Sequence, residues 1–181
     1  YIDTGRFTGR YAGPARGEIE ETFEQIDTAK RIIAAHPDVF GLATTADQVD
    51  AVFASGRIAS LIGMEGGYSI DDSLALLREF YRAGARYMTL THSKTTTWAD
   101  SATDAPKWGG LSPFGEDVVR EMNRLGMMVD LSHVSEDTML DAMRGVALDA
   151  RPFWDFPGEL AILGGWIVVT SVVAIRVFKF S

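Results

Sequence analysis

Residues 57–92 read RIASLIGMEGGYSIDDSLALLREFYRAGARYMTLTH, which is an apolar run, a helical segment and a second apolar run. The two apolar runs, at 57–62 and 86–91, have the length and composition of buried strands. Between them, residues 71–83 have the apolar spacing of a helix, and Gly84 stands where that helix is expected to end. This order predicts two parallel strands joined by a helix.

The same alternation continues downstream. A loop at 93–112 is followed by a helix at 113–125, a strand at 127–131 and a helix from Ser135 to about Met143. Three successive strand–helix units predict a parallel sheet, either doubly wound or closed into a barrel. A complete (β/α)8 barrel needs about 250 residues. The 181 residues of this chain therefore have room for only part of one.

Upstream of these units the sequence predicts an arm and two helices. Residues 1–16 are rich in glycine and indicate an irregular arm. Apolar residues recur every three or four positions over 18–35, which predicts an amphipathic helix. His36-Pro37 is expected to end it, because proline disfavours helical backbone in the preceding residue. A shorter helix is expected at 46–54.

The composition excludes several classes of site. The formal net charge is -8, which argues against a nucleic-acid partner, because phosphate binding requires a basic surface. The chain contains no cysteine, so it can have neither disulfides nor thiolate zinc ligands nor a cysteine nucleophile. Any metal must therefore be held by His, Asp or Glu.

The last part of the chain has a different composition. No charged residue occurs from Leu160 to Ile175, and Arg176 follows. This run approaches the roughly 20 residues that span a membrane, so we expect one continuous helix over 160–178 with its basic end in the cytoplasm. The alternative is a pair of buried strands with a turn at Gly164-Gly165.

The expected organisation follows from these segments. Residues 1–145 form a partial barrel domain, 146–158 a linker, and 159–181 an apolar tail that is a candidate transmembrane helix. The protein is expected to be membrane-associated if the tail spans a bilayer and cytoplasmic otherwise.

Three ionisable residues follow the predicted strands. Glu65, His92 and His133 each come just after one of them, and His36 is the remaining histidine of the three in the chain. In parallel α/β folds, ligands bind at the carboxyl ends of the strands, so these side chains are expected to converge there. Carboxylate and imidazole are ligands that suit Zn²⁺.

Each residue also has an interpretation that involves no metal. Glu65 would then cap a helix, and His92 and His133 would be histidines at the edge of the core, bonded to backbone. His36 precedes a proline at a helix end and is expected to have no role in a site. Asp130 is a candidate to orient a ligand histidine, and Asp100 and Asp130 are further candidates to complete a metal site.

Ordered motifs over residues 57–135 resemble those of the renal (membrane) dipeptidase family, and the likeness covers roughly residues 1–143. Together they are far more specific than any one alone. The matching stretches are Ile58–Gly67, Phe80–His92, Trp98–Ser101, Gly109–Gly115, Val119–Gly126 and Val129–Ser135.

The resemblance implies a fold, a reaction and residue roles. The family consists of amidohydrolase-type (β/α)8-barrel metallopeptidases that cleave dipeptides with two zinc ions. It implies that the carboxylate of Glu65 bridges both zinc ions and that His133 binds one of them. It implies that His92 is catalytic, contacting the substrate carbonyl and stabilising the tetrahedral intermediate.

The chain also departs from the family pattern. The His-x-Asp motif of the first barrel strand and the later Ser-His zinc motif have no counterpart, and Tyr68 stands where histidine is usual. We therefore expect a zinc dipeptidase fragment with an incomplete site and little activity of its own. The alternative is a non-catalytic, membrane-tethered remnant or fusion product without bound metal.

Overall fold

The computed structural model of the protein describes residues 2–3 and 17–149, and the apolar tail at 159–181 lies outside them. The chain divides into two units, of which the first ends at Val146. No helix in the described part is long and apolar enough to cross a membrane. The membrane helix expected at 160–178 therefore stays a prediction.

The described elements alternate between strand and helix over most of the chain. In chain order they are β1 (Ile2–Asp3), α1 (Glu18–Ala35), β2 (Phe40–Leu42), α2 (Ala46–Ala54), β3 (Ile58–Ser60), β4 (Ile62–Glu65), a 3-10 helix (Gly67–Ile70), α3 (Leu74–Ala83), β5 (Ala85–Thr89), α4 (Pro113–Leu125), β6 (Met128–Asp130) and α5 (Glu136–Asp149).

The main sheet is parallel throughout its described strands. Its order is β1–β4–β5–β6, and β2 and β3 form a separate parallel pair. The α/β class predicted from the strand–helix alternation is thus confirmed. Closure into a (β/α)8 barrel stays a prediction. The parallel order places the carboxyl ends of β4, β5 and β6 at one edge of the sheet.

The strand predicted at 57–62 has the wrong bounds. The chain forms β3 and β4 in succession, and β4 continues to Glu65, which is the last residue of a strand and not part of the following loop. Gly63 interrupts the apolar run, so composition alone ends the strand too early. A Cβ at Gly63 would lie 2.0 Å from Cζ of Tyr87, because the Tyr87 ring crosses the strand at this point.

Two strands are not predicted from the sequence. Residues Phe40–Leu42 pair with Ile58–Ser60, and Ile2–Asp3, within the predicted irregular arm, pair with Met64 and Glu65. Strands of two or three residues are too short to show a period-two pattern. They exist because neighbouring strands provide hydrogen-bonding partners.

The helices begin and end largely where their capping residues predict. Thr45 and Ser112 accept hydrogen bonds from the backbone N–H groups of Gln48 and Gly115, at the starts of α2 and α4. Gly126 ends α4 in the left-handed conformation, at φ 74°. The bounds predicted for α1, α2 and α4 agree with the structure.

Two helix bounds differ from prediction. The helix expected from Asp71 begins at Leu74, because Asp71 and Asp72 have φ of 45° and 52°, which a right-handed helix does not accept. Ser73 provides the cap instead, accepting from Leu76 N–H. The last helix, expected to end near Met143, continues to Asp149.

The hydrophobic core lies between the main sheet and the helices that follow its strands. The ring of Phe23 on α1 stacks on Phe80 of α3, with centroids 4.5 Å apart. Trp98, in the loop after β5, is only 1% exposed and packs edge-on against Phe114. That contact fixes this long loop to the start of α4.

A charged cluster joins α3 to α4. The carboxylate of Glu121 is almost buried and accepts from Arg124 Nη2 and Arg78 Nε, both at 2.6 Å. The hydrogen bonds from Arg124, and then those from Arg78, outweigh burial and lower the pKa of Glu121 from 4.5 to about 2. The carboxylate is therefore ionised in the folded protein down to strongly acidic pH.

We expect Glu121→Gln to lower the stability of the fold, because it removes the ionised carboxylate that pairs with Arg78 and Arg124. A depressed folded-state pKa stabilises the fold above pH 4.5, and the contribution is lost as the pH falls toward 2. The free energy of unfolding at pH 7 should fall by about 2 kcal/mol, allowing for the exposed guanidinium groups. Urea unfolding at pH 7, 4.5 and 3 measures both effects.

The matched control is Glu116→Gln on the same helix. Glu116 pairs with Arg120 at 2.7 Å, but both side chains are about half exposed. Such surface pairs contribute little, so the expected loss is under about 0.5 kcal/mol. Equal losses for the two variants at pH 7 would contradict the assignment of a buried, stabilising charge to Glu121.

Candidate metal centre

Three side chains converge at the carboxyl edge of the main sheet. Oε1 of Glu65 lies 3.5 Å from Nε2 of His133 and 4.0 Å from Nε2 of His92. One ligand atom from each residue lies within 4.8 Å of the other two. The structure therefore brings together the three residues that the sequence places at the ends of successive strands.

The two imidazoles of this site contact each other. The ring centroids of His92 and His133 are 4.7 Å apart, with an interplanar angle of 73°. The side chains of Glu65 and His92 are about one fifth exposed and that of His133 is 43% exposed. The site is thus open to solvent on the side of His133.

The geometry fits a metal ion. Zinc–ligand bonds of about 2.0–2.2 Å in a tetrahedral arrangement separate the ligand atoms by roughly 3.3–3.5 Å. The 3.5 Å between Glu65 and His133 matches this spacing, whereas the 4.0 Å to His92 is longer. One carboxylate oxygen and imidazole nitrogens are also the donor types that Zn²⁺ accepts.

Tyr68 fixes the chain at His92. Its hydroxyl accepts the backbone N–H groups of His92, at 3.1 Å, and of Lys94, at 3.2 Å, and donates to the carbonyl of Lys94. Tyr68, a departure from the pattern that the sequence resemblance implies, holds the loop after β5 from outside the ligand group. The sequence shows the tyrosine but not this contact.

Asp100 organises the long loop between β5 and α4. Its fully buried carboxylate accepts backbone N–H groups from four consecutive residues, Lys107 to Gly110, at 2.7–3.1 Å. Burial alone would raise the pKa of Asp100, but these four donors outweigh it and lower the pKa below its ordinary value. The carboxylate therefore serves the loop, and the structure does not place it among the converging ligands.

Asp130 and Tyr87 lie on the same face of the sheet, and the carboxylates of Asp130 and Glu65 act on the Tyr87 hydroxyl. The Asp130 carboxylate accepts the backbone N–H of Ser132 at 2.9 Å. Burial, and then the charges of Asp130 and Glu65, raise the pKa of Tyr87. Tyr87 is not among the candidate site residues chosen from the sequence. The period of two in β5 places its side chain on the same face of the sheet as that of Thr89. An orienting role for Asp130 stays a prediction.

His36 lies apart from this site. It caps the carboxyl end of α1, and its backbone N–H donates to the carbonyl of Ile33 at 3.3 Å. Its side chain is exposed. The structure thus agrees with the interpretation of His36 as a helix-end residue.

Comparison with known proteins identifies relatives of one kind. A family model described as membrane dipeptidase (peptidase family M19) matches residues 7–148. Dipeptidase tcpJ of Claviceps purpurea (strain 20.1) is 51% identical over 126 residues, covering 69% of this chain and 30% of that protein. Dipeptidase 3 of Rattus norvegicus is 47% identical over 126 residues, covering 67% of this chain and 25% of that protein.

A solved structure shows the same relation. The metallopeptidase of Rhodobacter sphaeroides, liganded with a phosphinate mimic of the dipeptide L-Ala-D-Ala, superposes with a TM-score of 0.64 and 26% identity. The match covers 70% of this chain and 38% of that one. The match thus spans between a quarter and about two fifths of the lengths of these relatives. With 142 consecutive residues matched by the family model, it belongs to the membrane dipeptidase family, peptidase family M19.

Proposed function

We propose that this chain carries part of the zinc site of a dipeptidase, which hydrolyses the peptide bond of dipeptides with a metal-activated water. The observation that carries the proposal is the 3.5 Å approach of Glu65 Oε1 to His133 Nε2 at the carboxyl edge of a parallel sheet. Relatives named dipeptidases, and a neighbour liganded with a dipeptide mimic, support dipeptides as the substrate class.

The proposed roles follow from the donor atoms. Glu65 offers two carboxylate oxygens and would bridge two zinc ions, and His133 would bind one of them through Nε2. Bound zinc would supply an activated water and polarise the substrate carbonyl. His92, whose Nε2 is farther from Glu65, would donate a hydrogen bond to the carbonyl oxygen as negative charge develops there.

The number of ligands limits what this chain does alone. The 181 residues contain three histidines, and one of these, His36, lies at a helix end away from the site. Two assigned ligands leave most coordination positions of two zinc ions to water. We therefore expect weak metal binding and dipeptide hydrolysis close to background for the isolated chain.

The experiment is metal analysis combined with an activity assay. The purified chain would be dialysed against zinc, analysed for zinc per chain, and assayed with L-Ala-L-Ala and L-Ala-D-Ala. The expected result is zinc that is lost on extended dialysis and hydrolysis barely above a metal-free control. Absence of zinc binding at millimolar concentration would favour the alternative, a non-catalytic remnant. Two tightly held zinc ions with turnover would contradict the proposed incompleteness.

A further inference from the structure

The segment 100–102 runs alongside the residues that follow β6. The backbone N–H of Ala102 donates to the carbonyl of His133, and that of Ser135 donates to the carbonyl of Asp100, both at 2.9 Å. Ser101 and Val134 form an isolated antiparallel bridge between these two pairs. The loop after β5 is therefore hydrogen-bonded directly to the chain that presents His133.

His133 adopts a backbone conformation that must be maintained by its surroundings. Its φ is 67°, in the left-handed region, which is unfavourable for a residue other than glycine. Its carbonyl accepts from Ala102 N–H at 2.9 Å and from the Thr91 hydroxyl at 3.0 Å, and the Ser101 hydroxyl lies 3.3 Å away. These contacts hold the peptide that orients the imidazole.

The Ser101 hydroxyl also reaches the other histidine. Its Oγ lies 2.6 Å from the carbonyl of His92, and the residue is only 3% exposed. One hydroxyl proton serves one strong bond, so Ser101 donates mainly to His92, with the His133 carbonyl as a weaker second acceptor. Ser101 thus contacts the main chains of both site histidines while staying outside the ligand group.

We propose that Ser101 is a positioning residue that sets the two imidazoles at their mutual distance and angle. Its hydroxyl fixes the peptide of His92, and its backbone lies in the bridge that fixes the peptide of His133. The consequence for metal binding and hydrolysis rests on the function proposed above. The positioning itself is a property of the metal-free chain and is tested there.

The first test is nuclear Overhauser contact between the two imidazole rings in the metal-free 181-residue protein. With three histidines, ring signals are readily assigned, and His36 serves as an internal reference. Rings with centroids 4.7 Å apart should show cross-peaks in the wild type. In Ser101→Ala these cross-peaks should weaken at least threefold, while the circular dichroism of the helices is retained.

The matched control is Thr103→Val in the same loop. The Thr103 hydroxyl donates to the carbonyl of Ser93 at 3.0 Å and contacts neither histidine. Its removal should leave the ring cross-peaks unchanged. Should Ser101→Ala fail to fold, Ser101→Cys keeps the shape of the side chain but places a somewhat larger atom, which is a weak donor, at the position of the hydroxyl, and it should also weaken the cross-peaks. Wild-type cross-peaks in a folded Ser101 variant would overturn the proposal.

The second test is cobalt(II) binding, followed by its visible absorption. Loss of a group that orients a ligand typically lowers metal affinity 10–100-fold. Because the Ser101 hydroxyl makes only its weaker contact with the peptide of the proposed ligand His133, Ser101→Ala should weaken binding less than this, about fivefold, and Thr103→Val less than twofold. Equal affinities in the two variants would limit Ser101 to a structural role and overturn its proposed effect on the site. If the wild type binds no cobalt, the proposed function fails, whereas the ring cross-peaks still decide the positioning.

Discussion

Glu65→Gln is expected to reduce metal binding by the isolated chain more than 100-fold. The carboxylate oxygen of Glu65 is close to both imidazoles, and no other carboxylate joins this group in the described part of the chain. Glutamine keeps the shape but supplies a neutral, weaker ligand that cannot bridge two cations. Loss of a group that only orients a ligand already costs 10–100-fold, and loss of a ligand should cost more. Cobalt(II) titration measures the change.

Variants of the three histidines distinguish the proposed metal ligand, His133, from His92, which is proposed to face the substrate. His133→Ala should weaken cobalt binding nearly as much as Glu65→Gln. Its Nε2 lies 3.5 Å from Oε1 of Glu65, which is the distance expected between two ligand atoms of one metal ion. His92→Ala should weaken binding less than about tenfold, because its Nε2 lies 4.0 Å from Glu65 and its proposed role is toward substrate. His36→Gln is the matched control and should bind like the wild type. Greater loss in His92→Ala than in His133→Ala would reverse the two assignments.

Asp100→Ala should be the most destabilising substitution in the loop between β5 and α4. It leaves the backbone N–H groups of four residues, Lys107 to Gly110, without their charged acceptor, and of these residues Gly110 is buried. The lost charge-assisted bonds, together with the unsatisfied buried donor of Gly110, predict a decrease of about 4 kcal/mol in the free energy of unfolding. Thermal and urea denaturation at pH 7 measure it.

Trypsin cleavage within this loop distinguishes local disorder from a lower stability of the whole protein. Lys107 is a trypsin site whose backbone N–H is bonded to Asp100 at 2.7 Å, so cleavage there should accelerate in Asp100→Ala before the protein unfolds. Asp104→Ala is the control, since Asp104 accepts backbone N–H groups from two residues of the same loop, Thr95 and Ala105, and not from four, and should have a smaller effect. A normal melting curve with unchanged cleavage at Lys107 would show that the four hydrogen bonds contribute little.

Asp100 also connects loop stability to the proposed positioning of the histidines. Its neighbours Ser101 and Ala102 make the contacts to His92 and His133. Release of the loop in Asp100→Ala is therefore expected to weaken cobalt binding as well, in contrast to Glu121→Gln, which acts on the distant α3–α4 contact. Unchanged cobalt affinity in an Asp100 variant of lowered stability would show that the loop does not contribute to metal binding.

The helices and the three residues that converge at the edge of the sheet could be predicted from local signals. Thr45, Ser112 and Gly126 cap helices through hydrogen bonds to residues within four positions, so both partners of each bond are close together in the sequence. Glu65, His92 and His133 could be selected because each follows an apolar run, and parallel strands have a common carboxyl edge. These inferences need only the order of residues along the chain.

Strand bounds and site geometry could not be predicted, because they depend on residues that are distant in the sequence. β4 continues through Gly63 to Glu65 because β5 pairs with Gly63 and Met64, because Asp3 of β1 pairs with Glu65, and because the Tyr87 ring fills the space above the glycine. The left-handed backbone of His133 is held by Thr91 and Ala102, more than 30 positions away, and no local pattern indicates it. Sequence order predicts which side chains share an edge of the sheet. The distance of 3.5 Å between Oε1 of Glu65 and Nε2 of His133 arises only when separate strands and a loop pack together. Local propensity describes each segment by itself and therefore does not predict a distance between segments.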